Sequence, residues 1–558
     1  MTVLLHDLVP VALRRSWAAD GTCPDLDLYS LYRAHRIADP HRTALVDAHG
    51  KLCYAALDRK VRCLAGGLAG LGIRAGDVVG IQLPSGRSAV IADLALAALG
   101  AVALPFPVGR GRREAVSLLG RSEAVAVIAA IEHRGNHHAA DLLARTGELP
   151  ALRTVIAAGP GATPEGAVAL SELLRTDVTD FVPARADPDS AARILVSSGS
   201  EAEPKMVAYS HNALAGGRGN FLASLVPDRR PPRCLFLVPL ASAFGSNGTP
   251  VVLARHGGTL IVLDRFTPGA ALDALVAHEP THVMAVPTMF RMMLDHLADE
   301  PRTAFTPPTA LVVGGSPLDA ATAEEARRVF GCPVVNLYGS ADGVNCHTGL
   351  GNEPMPGDGP GTFVGRPDSR VADIRITAPD AAGPAELPCG SAGEIVARGP
   401  MTPMCYVAAP DLDARCRTPD GWVRTGDLGL MDKDGTLRIV GRLKDIVIRG
   451  GANISPAEVE IELAPHPLVR DVVCVGVPDP LMGERLAACV VPRGGRAPGL
   501  DELCAHLDAR GLERRKHPER LLVVDELPLT PAGKPDRDSL RERLASARAA
   551  EPPRTSAG

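Results

Sequence analysis

Apolar residues along this chain fall into short, nearly continuous runs that alternate with longer segments rich in alanine and leucine. The clearest runs are at 78–83, 125–130, 155–158, 234–238, 259–263 and 282–286. Short apolar runs are typical of strands buried on both faces, and the Ala/Leu-rich segments between them have the composition of helices. Strands that alternate with helices form parallel sheets with helices packed on their faces. The pattern therefore predicts an α/β fold.

The pattern changes twice in the carboxyl-terminal part of the chain. Between 374 and 406, short apolar stretches separated by Gly and Pro predict a small β-rich subdomain. A new amphipathic unit follows Arg442; it begins with residues 456–462 and ends with residues 540–544. The sharpest domain boundary is therefore predicted near Lys444.

Two further segments bear on the location of the protein. The longest apolar region, 89–108, is interrupted by Asp93, Gly100 and prolines, so it predicts a buried helix followed by a buried strand rather than a membrane span. The first residues, 1–17, lack the order of charged and apolar residues that a secretory signal requires. The sequence therefore predicts a cytoplasmic protein without a membrane span.

Composition and charge exclude several classes of protein. A chain of 558 residues exceeds the usual size of one domain, and its 46% apolar content can supply more than one core. The net charge is −5 and the basic residues are scattered, so no nucleic-acid-binding surface is predicted. The 12 cysteines form no CxxC pair and no His/Cys cluster. Reduced thiols are therefore expected, rather than a disulfide scaffold or a zinc site.

A loop rich in serine and glycine follows the apolar residues 194–196. Backbone N–H groups and hydroxyls in such a loop can hold a polyphosphate, and a lysine adds a cation. The candidate phosphate ligands are Ser197, Ser198, Gly199, Ser200 and Lys205. For this stretch alone, the alternative interpretation is a polar surface turn.

Other positions of the same loop depart from what phosphate binding requires. Glu201 brings a carboxylate, which within about 4 Å of a phosphate costs on the order of 4 kcal/mol at an effective dielectric constant near 20. Ala202 and Met206 stand where glycine is expected, and a side chain there removes backbone freedom and close approach. The loop therefore suggests phosphate binding, together with substitutions that weaken it.

Several further motifs follow in a fixed order. They are VGGSPL at 313–318, NLYGSAD at 336–342, WVRTGD at 422–427, GRLKDIVIRGGANISPAEVE at 441–460 and PLTPAGKPDRDSLR at 528–541. This succession closely resembles the adenylate-forming superfamily of acyl-CoA synthetases, peptide-synthetase adenylation domains and luciferases. The resemblance covers about residues 25–545, and RGGANISPAEVE is most similar to the acyl-CoA ligase branch.

The resemblance implies a particular domain organisation. A large N-terminal adenylate-binding domain, 1–441, would consist of two parallel-type α/β subdomains and the small β-rich subdomain. A hinge at 442–446 would connect it to a small mobile α+β C-terminal domain, 447–548. The tail, 549–558, is rich in small residues and proline and is predicted to be disordered.

The resemblance also assigns the residues that hold the nucleoside part of ATP or AMP. Gly315 would contact adenine, Tyr338 would pack against the base beside Gly339, Asp427 would accept the ribose hydroxyls and Arg442 would bind the ribose. Taken singly, Asp427 also fits a turn aspartate and Tyr338 an ordinary core aromatic residue. Their order along the chain favours the nucleotide site.

In the first half-reaction of this family, a carboxylate attacks the α-phosphate of ATP to give an acyl-adenylate and pyrophosphate. The resemblance assigns the mobile lysine of this step to Lys534 and the Mg²⁺ ligand to Asp342, where relatives carry the longer Glu. Mg²⁺ tolerates little displacement of its oxygen ligands. Ala341 replaces a threonine, and the loss of that hydroxyl costs roughly 1 to 3 kcal/mol in a buried site.

In the second half-reaction a thiol attacks the adenylate after the C-terminal domain rotates. By resemblance, Lys444 falls at the hinge, where a few residues absorb the backbone change. Gly450 and Gly451 match the small residues that let a pantetheine arm reach the carbonyl. The alternative interpretation of the pair is a simple turn before Asn453. Coenzyme A is the expected thiol.

The acyl pocket is less clearly specified. By resemblance it includes Ala241, Ser242 and Gly314, and the first two replace the aromatic residue and the histidine of many relatives. No aspartate near them could pair with an α-amino group, which disfavours amino acids as substrates. A bulky apolar or polycyclic carboxylic acid is expected. The composition is also loosely similar to that of ligases in antibiotic biosynthesis, such as the diterpenoid pathway to platensimycin.

The substituted positions suggest the leading hypothesis. Those that handle pyrophosphate and Mg²⁺ are altered, whereas those that match AMP and CoA binding are kept. The first hypothesis is an enzyme that converts acyl-adenylates, supplied by a separate adenylating enzyme, to acyl-CoA, with its own adenylation weak or absent. The second is a complete ATP-dependent acyl-CoA ligase that neutralises Glu201. The third is a catalytically silent adenylate-binding protein, which the retained Lys534 disfavours.

Overall fold

The computed structural model describes most of the chain. The described residues are 5–179, 181–197, 204–228, 230–300, 305–351, 361–379, 385–449, 452–479, 481–530 and 534–550. The predicted positions Ser198, Gly199, Ser200, Glu201, Ala202, Gly450 and Gly451 lie outside these residues.

Helices occur throughout the described residues. They are α1 (Val11–Ala19), α2 (Leu28–Ala38), α3 (Tyr54–Gly70), α4 (Arg87–Leu99), α5 (Arg112–Arg121), α6 (His138–Leu143), α7 (Leu170–Leu173), α8 (Gly219–Ala223), α9 (Pro268–His278), α10 (Pro287–Asp299), α11 (Ala320–Phe330), α12 (Pro410–Cys416), α13 (Pro456–Leu463), α14 (Leu500–Ala509) and α15 (Arg537–Ala550). Two π-helical segments, Ala213–Arg218 and Gly248–Arg255, lie between β-strands of the N-terminal part. No helix in the described part of the chain is long and apolar enough to span a membrane.

Strands separate most of the helices. In the N-terminal part they are β1 (Thr43–Asp47), β2 (Gly50–Cys53), β3 (Val78–Gln82), β4 (Val102–Pro105), β5 (Ala126–Ala130), β6 (Thr154–Ala158), β7 (Val168–Ala169), β8 (Ala191–Val196), β9 (Met206–Ser210), β10 (Arg233–Phe236), β11 (Thr259–Val262), β12 (His282–Ala285), β13 (Ala310–Gly314), β14 (Val334–Ser340) and β15 (Val344–His347). Those that follow are β16 (Thr362–Phe363), β17 (Asp373–Thr377), β18 (Gly393–Arg398), β19 (Cys405–Tyr406), β20 (Val423–Met431), β21 (Leu437–Arg442), β22 (Val447–Arg449), β23 (Ala452–Ile454), β24 (Val469–Asp479), β25 (Gly483–Pro492) and β26 (Arg520–Val523).

Two large sheets carry the N-terminal domain. Sheet 1 has the order β15-β14-β13-β12-β10-β11-β1-β2, and sheet 2 has the order β19-β9-β8-β4-β3-β5-β6-β7. Most of their inner strands pair in parallel. Antiparallel pairing occurs at both ends of sheet 1 and at the β19-β9-β8 end of sheet 2, whereas β7 joins the other end of sheet 2 in parallel. Strands such as β5 and β13 are buried along their whole length, which is why their residues are almost all apolar. The predicted α/β fold class is confirmed.

The predicted short runs and the interrupted apolar region also follow this architecture. The six runs correspond to β3, β5, β6, β10, β11 and β12. The region 89–108 forms most of α4 and then β4, both buried. Gly100 ends α4 with a left-handed φ of 70°, a conformation that glycine adopts without steric cost.

A five-stranded antiparallel sheet, ordered β16-β21-β20-β18-β17, forms the β-rich subdomain. The sequence had assigned all of 374–406 to this unit, but its last strand, Cys405–Tyr406, pairs instead with β9 of sheet 2. The short strand joins sheet 2 because its two residues are buried and the free edge of β9 supplies the hydrogen bonds. This difference brings Tyr406 to the functional site.

The C-terminal domain has its own sheet and core. The strands β23-β22-β25-β24 pair in that order, β26 pairs with β25, and α13 and α14 cover one face. The segments 456–462 and 540–544, predicted to begin and end an amphipathic unit, lie within α13 and α15. Helix α15 continues through Ala550, two residues into the segment that the sequence assigned to the tail, and 551–558 lie outside the described residues. Arg291 of α10 pairs with Asp471 of β24 at 2.7 Å, linking the two domains.

Candidate functional site

The site begins at the carboxyl ends of two neighbouring parallel strands. Strands β13 and β14 pair in register, with Gly314 opposite Leu337, so the turn after β13 meets the Tyr338 segment at the same sheet edge. A side chain on Gly314 would come within 2.9 Å of the Leu337 carbonyl oxygen, and Gly315 has a left-handed φ of 92°. The glycines are therefore required by close strand packing and by the turn. Ligands bind at such strand ends in open α/β sheets.

Tyr338, Asp427 and Arg442 meet at the junction of sheet 1 and the β-rich subdomain. The Tyr338 hydroxyl donates to Asp427 Oδ2 at 2.7 Å, and Arg442 Nε lies 2.8 Å from Asp427 Oδ1. Asp427 and Arg442 are direct partners across the antiparallel strands β20 and β21. The Asp427 side chain is 5% exposed, but Arg442 is 45% exposed and so remains accessible to a ligand. The structure thus brings together three residues that the sequence had proposed separately.

The pKa values of this group follow from its burial. Burial raises the pKa of the Asp427 carboxyl, and the Arg442 cation opposes that rise. Burial and the adjacent Asp427 carboxylate raise the pKa of Tyr338 well above its usual value, so its phenol remains a hydrogen-bond donor. Asp427 raises the pKa of Arg442, which therefore stays a cation. The arrangement supplies one carboxylate acceptor fixed by two donors.

Lys534 reaches this group from the C-terminal domain. A methyl group on Gly315 would lie 3.5 Å from Lys534 Cε, so the lysine stem passes directly over the glycine turn. A tight turn holds the lysine, because Thr530 N donates to the Lys534 carbonyl oxygen at 2.7 Å. Removal of water from the ammonium and the nearby Arg442 charge lower the pKa of Lys534 to about 8. The C-terminal domain is therefore closed over the site.

Asp342 lies in a second part of the site, and both of its carboxylate oxygens are engaged. The Tyr406 hydroxyl donates to Asp342 Oδ1 at 2.6 Å, and the Ser340 hydroxyl donates to Oδ2 at 2.6 Å. The Tyr209 hydroxyl donates to the Ala341 carbonyl oxygen at 2.8 Å. The sequence analysis missed Tyr406, because no local pattern connects it to a residue 64 positions away.

The described ends of the serine-rich loop join this second part. Ser197 N donates to the Lys205 carbonyl oxygen at 2.9 Å, and Ser197 Oγ accepts from Lys205 N at 3.1 Å. Lys205 Nζ lies 5.7 Å from the centre of the Tyr406 ring, within range of a cation–π contact. The five central candidate positions, 198–202, lie outside the described residues.

Met206 does not restrict the serine-rich loop, contrary to the expectation from the sequence. Its side chain is 1% exposed and packs in the core with Val196 and Ala208, and its backbone pairs with Val196 in an ordinary strand. An extended strand accommodates any side chain. Met206 therefore does not strain the loop. The substitutions that remain relevant to phosphate and Mg²⁺ binding are Glu201, Ala202, Ala341 and Asp342.

Comparison with known proteins agrees with this arrangement. The AMP-binding enzyme family matches residues 34–407, and the AMP-binding enzyme C-terminal domain matches residues 458–534. The chain belongs to the AMP-binding enzyme family.

Relatives within this family cover nearly the whole chain. Triostin synthetase I from Streptomyces triostinicus is 34% identical over 516 residues, 90% of this chain and 92% of that protein. The 2-hydroxy-7-methoxy-5-methyl-1-naphthoate–CoA ligase from Streptomyces carzinostaticus is 31% identical over 511 residues, 90% of each chain. The structure of the amide bond synthetase McbA from Marinactinospora thermotolerans superimposes with a TM-score of 0.79 at 29% identity, covering 93% of this chain and 99% of that one.

AMP-binding enzymes typically use Mg²⁺, and Asp342 occupies the position expected for its ligand. Mg²⁺ requires oxygen ligands in near-ideal octahedral geometry. Here the two Asp342 oxygens accept hydrogen bonds from Tyr406 and Ser340, and within the described ranges no three His, Cys, Asp or Glu side chains group as metal ligands. In this closed arrangement Asp342 is therefore oriented by Tyr406 and Ser340, and an Mg²⁺ ion bound to it would draw its other oxygen ligands from phosphates and water.

The residues assigned to the acyl pocket lie on a segment that is held by its own hydrogen bonds. Ser242 Oγ donates to the Pro239 carbonyl oxygen at 2.8 Å and accepts from Gly245 N at 2.9 Å. The hydroxyl therefore closes a turn. Ala241 and Ser242 are both partly exposed.

The predicted hinge residue, Lys444, forms no part of the cluster of Tyr338, Asp427 and Arg442. Lys444 is exposed on the short helical turn Leu443–Asp445, directly after β21. Arg442, at the end of β21, forms the cluster with Tyr338 and Asp427 that is proposed to bind the nucleoside, and that is called the nucleoside group below. The predicted hinge therefore begins at a residue that also contacts Asp427.

Proposed function

We propose that this chain forms acyl-CoA and AMP from an acyl-adenylate and coenzyme A, and that its own ATP-dependent adenylation is weak or absent. The observation that carries the proposal is the contrast between the two parts of the site. Tyr338, Asp427, Arg442 and Lys534 are assembled as an adenylate site. The Asp342 carboxylate, where metal would be held in the first half-reaction, is engaged by Tyr406 and Ser340.

The assembled residues would each act on one part of the adenylate. The Asp427 carboxylate would accept the ribose hydroxyls, Arg442 would donate to the ribose, and the Tyr338 ring would pack against adenine. Lys534, positioned over the glycine turn at Gly315, would place its ammonium against the acyl phosphate. A cation there is attracted to the negative charge of the phosphate and would hold the adenylate while the C-terminal domain is closed.

The second half-reaction follows from these contacts. The thiolate sulfur of CoA would attack the carbonyl carbon, forming the C–S bond while the C–O bond to the phosphate breaks. AMP leaves with the electron pair, and the thiol proton passes to solvent. Lys534 would first withdraw as the C-terminal domain rotates about the segment 442–446, and Gly450 and Gly451 would then admit the pantetheine arm. The acid is a bulky carboxylic acid, and a separate enzyme would supply its adenylate.

The alternative is a complete ATP-dependent acyl-CoA ligase. The CoA ligase from Streptomyces carzinostaticus, which matches 90% of this chain, favours it. The two candidate functions share the nucleoside group and Lys534, and they differ only in the first half-reaction.

A paired assay separates them. Wild-type enzyme would be given a panel of bulky acids with ATP, and exchange of labelled pyrophosphate into ATP would be measured. In parallel, synthetic acyl-adenylates and CoA would be supplied without ATP, and the thioester would be measured. We expect thioester without exchange. Exchange at a rate matching thioester formation, with any acid, would refute weak adenylation and leave the complete ligase.

The lowered pKa of Lys534 predicts a pH dependence. The Lys534 ammonium loses its proton as the pH rises through about 8. A phosphate mimic bound beside it would favour the protonated form, because an adjacent negative charge stabilises the ammonium. Binding of a non-hydrolysable acyl-adenylate analogue should therefore weaken above pH 8, by up to about tenfold per pH unit. Titration calorimetry across this range would measure it.

Two substitutions provide the controls for this pH dependence. Lys534→Gln should bind the analogue weakly at all pH values and remove the dependence. Lys516→Gln, which removes a lysine paired with Glu458 elsewhere in the C-terminal domain, should retain it. An unchanged pH profile in Lys534→Gln would contradict the assignment.

A further inference from the structure

A buried arginine beneath the acyl-pocket segment forms no ion pair with a carboxylate among the described residues. Arg218, the last residue of the π-helical segment Ala213–Arg218, is 5% exposed. Its Nη1 donates to the Ala243 carbonyl oxygen and to Ser246 Oγ, both at 3.0 Å. No ion pair joins it to any described residue, and its buried Nε lacks a hydrogen-bond acceptor there. A buried guanidinium without an opposite charge is costly, so its retention calls for an explanation.

A second buried arginine shows that holding the segment does not require an uncompensated charge. Arg193 is 3% exposed and donates through Nη2 to the Leu240 carbonyl oxygen at 3.1 Å. Unlike Arg218, it forms an ion pair with a carboxylate, that of Asp93. Both arginines hold the same segment, and the buried Nε of each lacks a hydrogen-bond acceptor among the described residues. The difference is the charge, because only Arg193 is neutralised by a carboxylate there.

The contacts of Arg218 connect the acyl-pocket segment to the segment that carries Ala341. On one side it binds Ala243, which follows the pocket residue Ser242. On the other, its guanidinium carbon lies 4.9 Å from the centre of the Tyr209 ring, and the Tyr209 hydroxyl donates to the Ala341 carbonyl oxygen.

The helix geometry around Arg218 points to the same place. Asn247, whose Oδ1 accepts from Arg218 Nη1 at 3.4 Å, directly precedes the second π-helical segment, Gly248–Arg255. Arg218 therefore connects the end of one π-helical segment to the start of the other. Such segments occur frequently at functional sites, where they re-aim side chains.

We propose that Arg218 is a specificity-determining residue that binds an oxygen acceptor, a carbonyl or a carboxylate, on the acyl group at a distance from the reacting carboxyl. The proposal rests on the proposed function and narrows its substrate to oxygenated acids. A carbonyl oxygen would satisfy the free N–H, and a carboxylate would in addition neutralise the charge. A purely hydrocarbon acid would leave both unsatisfied.

Three matched ligands would test the proposal by binding alone. Each would be a non-reactive acyl-adenylate analogue with an acyl sulfamate linkage and the same decalin skeleton, ending in a methylene, a ketone or a carboxylate. Titration calorimetry with the full-length wild-type chain should give about tenfold or greater preference for at least one oxygenated analogue over the hydrocarbon. The ketone and carboxylate arms show which oxygen the site prefers.

Variants identify the residue responsible. Arg218→Met should abolish the preference while hydrocarbon binding remains, and Arg218→Lys should retain part of it because it keeps a buried cation. Arg193→Met, the matched control, should lower the melting temperature without changing the ratio among the three ligands. If Arg218→Met does not fold, the comparison of wild type with Arg218→Lys still shows whether Arg218 sets the preference for oxygenated analogues.

The outcomes separate this proposal from the proposed function. Equal wild-type affinities for the three analogues, or a preference that survives in Arg218→Met, would overturn the role of Arg218 alone. If none of the analogues binds, the adenylate-binding function itself is wrong. Neither conclusion depends on ATP, CoA or turnover.

Discussion

Replacing Asp427 by asparagine should weaken binding of a non-reactive acyl-adenylate analogue about 100-fold and lower thioester formation at least as much. Within the nucleoside group, the Asp427 carboxylate is the proposed hydrogen-bond acceptor for the ribose hydroxyls. Its orientation is fixed by contacts with Tyr338 and Arg442. An amide presents a donor to one ribose hydroxyl and removes the charge that attracts Arg442. Loss of a charged hydrogen bond in a buried site costs about 1.5 to 3 kcal/mol, and each 1.4 kcal/mol is a factor of about ten. Calorimetric titration would measure the affinity.

A matched substitution controls for the loss of an aspartate in the same subdomain. Asp420 forms a largely exposed ion pair with Arg398, and Asp420→Asn should leave the affinity unchanged. Melting temperatures of both variants would show that the fold is intact. Wild-type affinity in a folded Asp427→Asn would remove Asp427 from the ribose site and with it the central residue of the proposed function.

Replacing Glu201 by glutamine should raise the affinity for ATP by up to about a thousandfold. A carboxylate within about 4 Å of a phosphate costs on the order of 4 kcal/mol at an effective dielectric constant near 20, and the neutral amide removes that cost. Pyrophosphate exchange should rise less than ATP affinity does, because Asp342 would still be engaged by Tyr406 and Ser340. Titration calorimetry and the exchange assay would measure the two effects.

The neighbouring Glu203 provides the control for Glu201. Glu203→Gln makes the same change in net charge two residues away, so it separates a local effect at position 201 from a general effect of loop charge. Glu201→Gln combined with Asp342→Glu and Ala341→Thr should then give the largest gain in exchange. No change in ATP affinity for Glu201→Gln would show that the carboxylate does not face the phosphates.

Much of the fold follows from local sequence patterns. The runs that became β3, β5, β6 and β10–β12 are readable because strands buried on both faces must be apolar throughout. The helix and strand at 89–108 are readable for the same reason, with Gly100 marking the turn. The strand Cys405–Tyr406 was assigned to the wrong sheet, because two residues carry no information about which edge they join.

Some features of the candidate site could likewise be predicted from the sequence, whereas others could not. The residue types for a nucleoside site, and their order, were visible in the sequence, and the structure places Tyr338, Asp427, Arg442 and Lys534 together. The partners of Asp342 were not visible, and Met206 was judged by its residue type when its side chain in fact lies in the core. Side-chain direction depends on strand register, which a single position does not reveal.

The sequence by itself determined the α/β architecture and the family resemblance, and it supplied the residues proposed to hold an adenylate, because apolar periodicity and residue chemistry are local properties. Only the tertiary structure decided that the Asp342 carboxylate accepts hydrogen bonds from Tyr406 and Ser340, and that Arg218 is buried without an ion-pair partner in the described part of the chain. These properties depend on which side chains meet across elements distant in the chain, and packing sets those meetings. The chemical state of a buried charge is therefore a property of the folded chain.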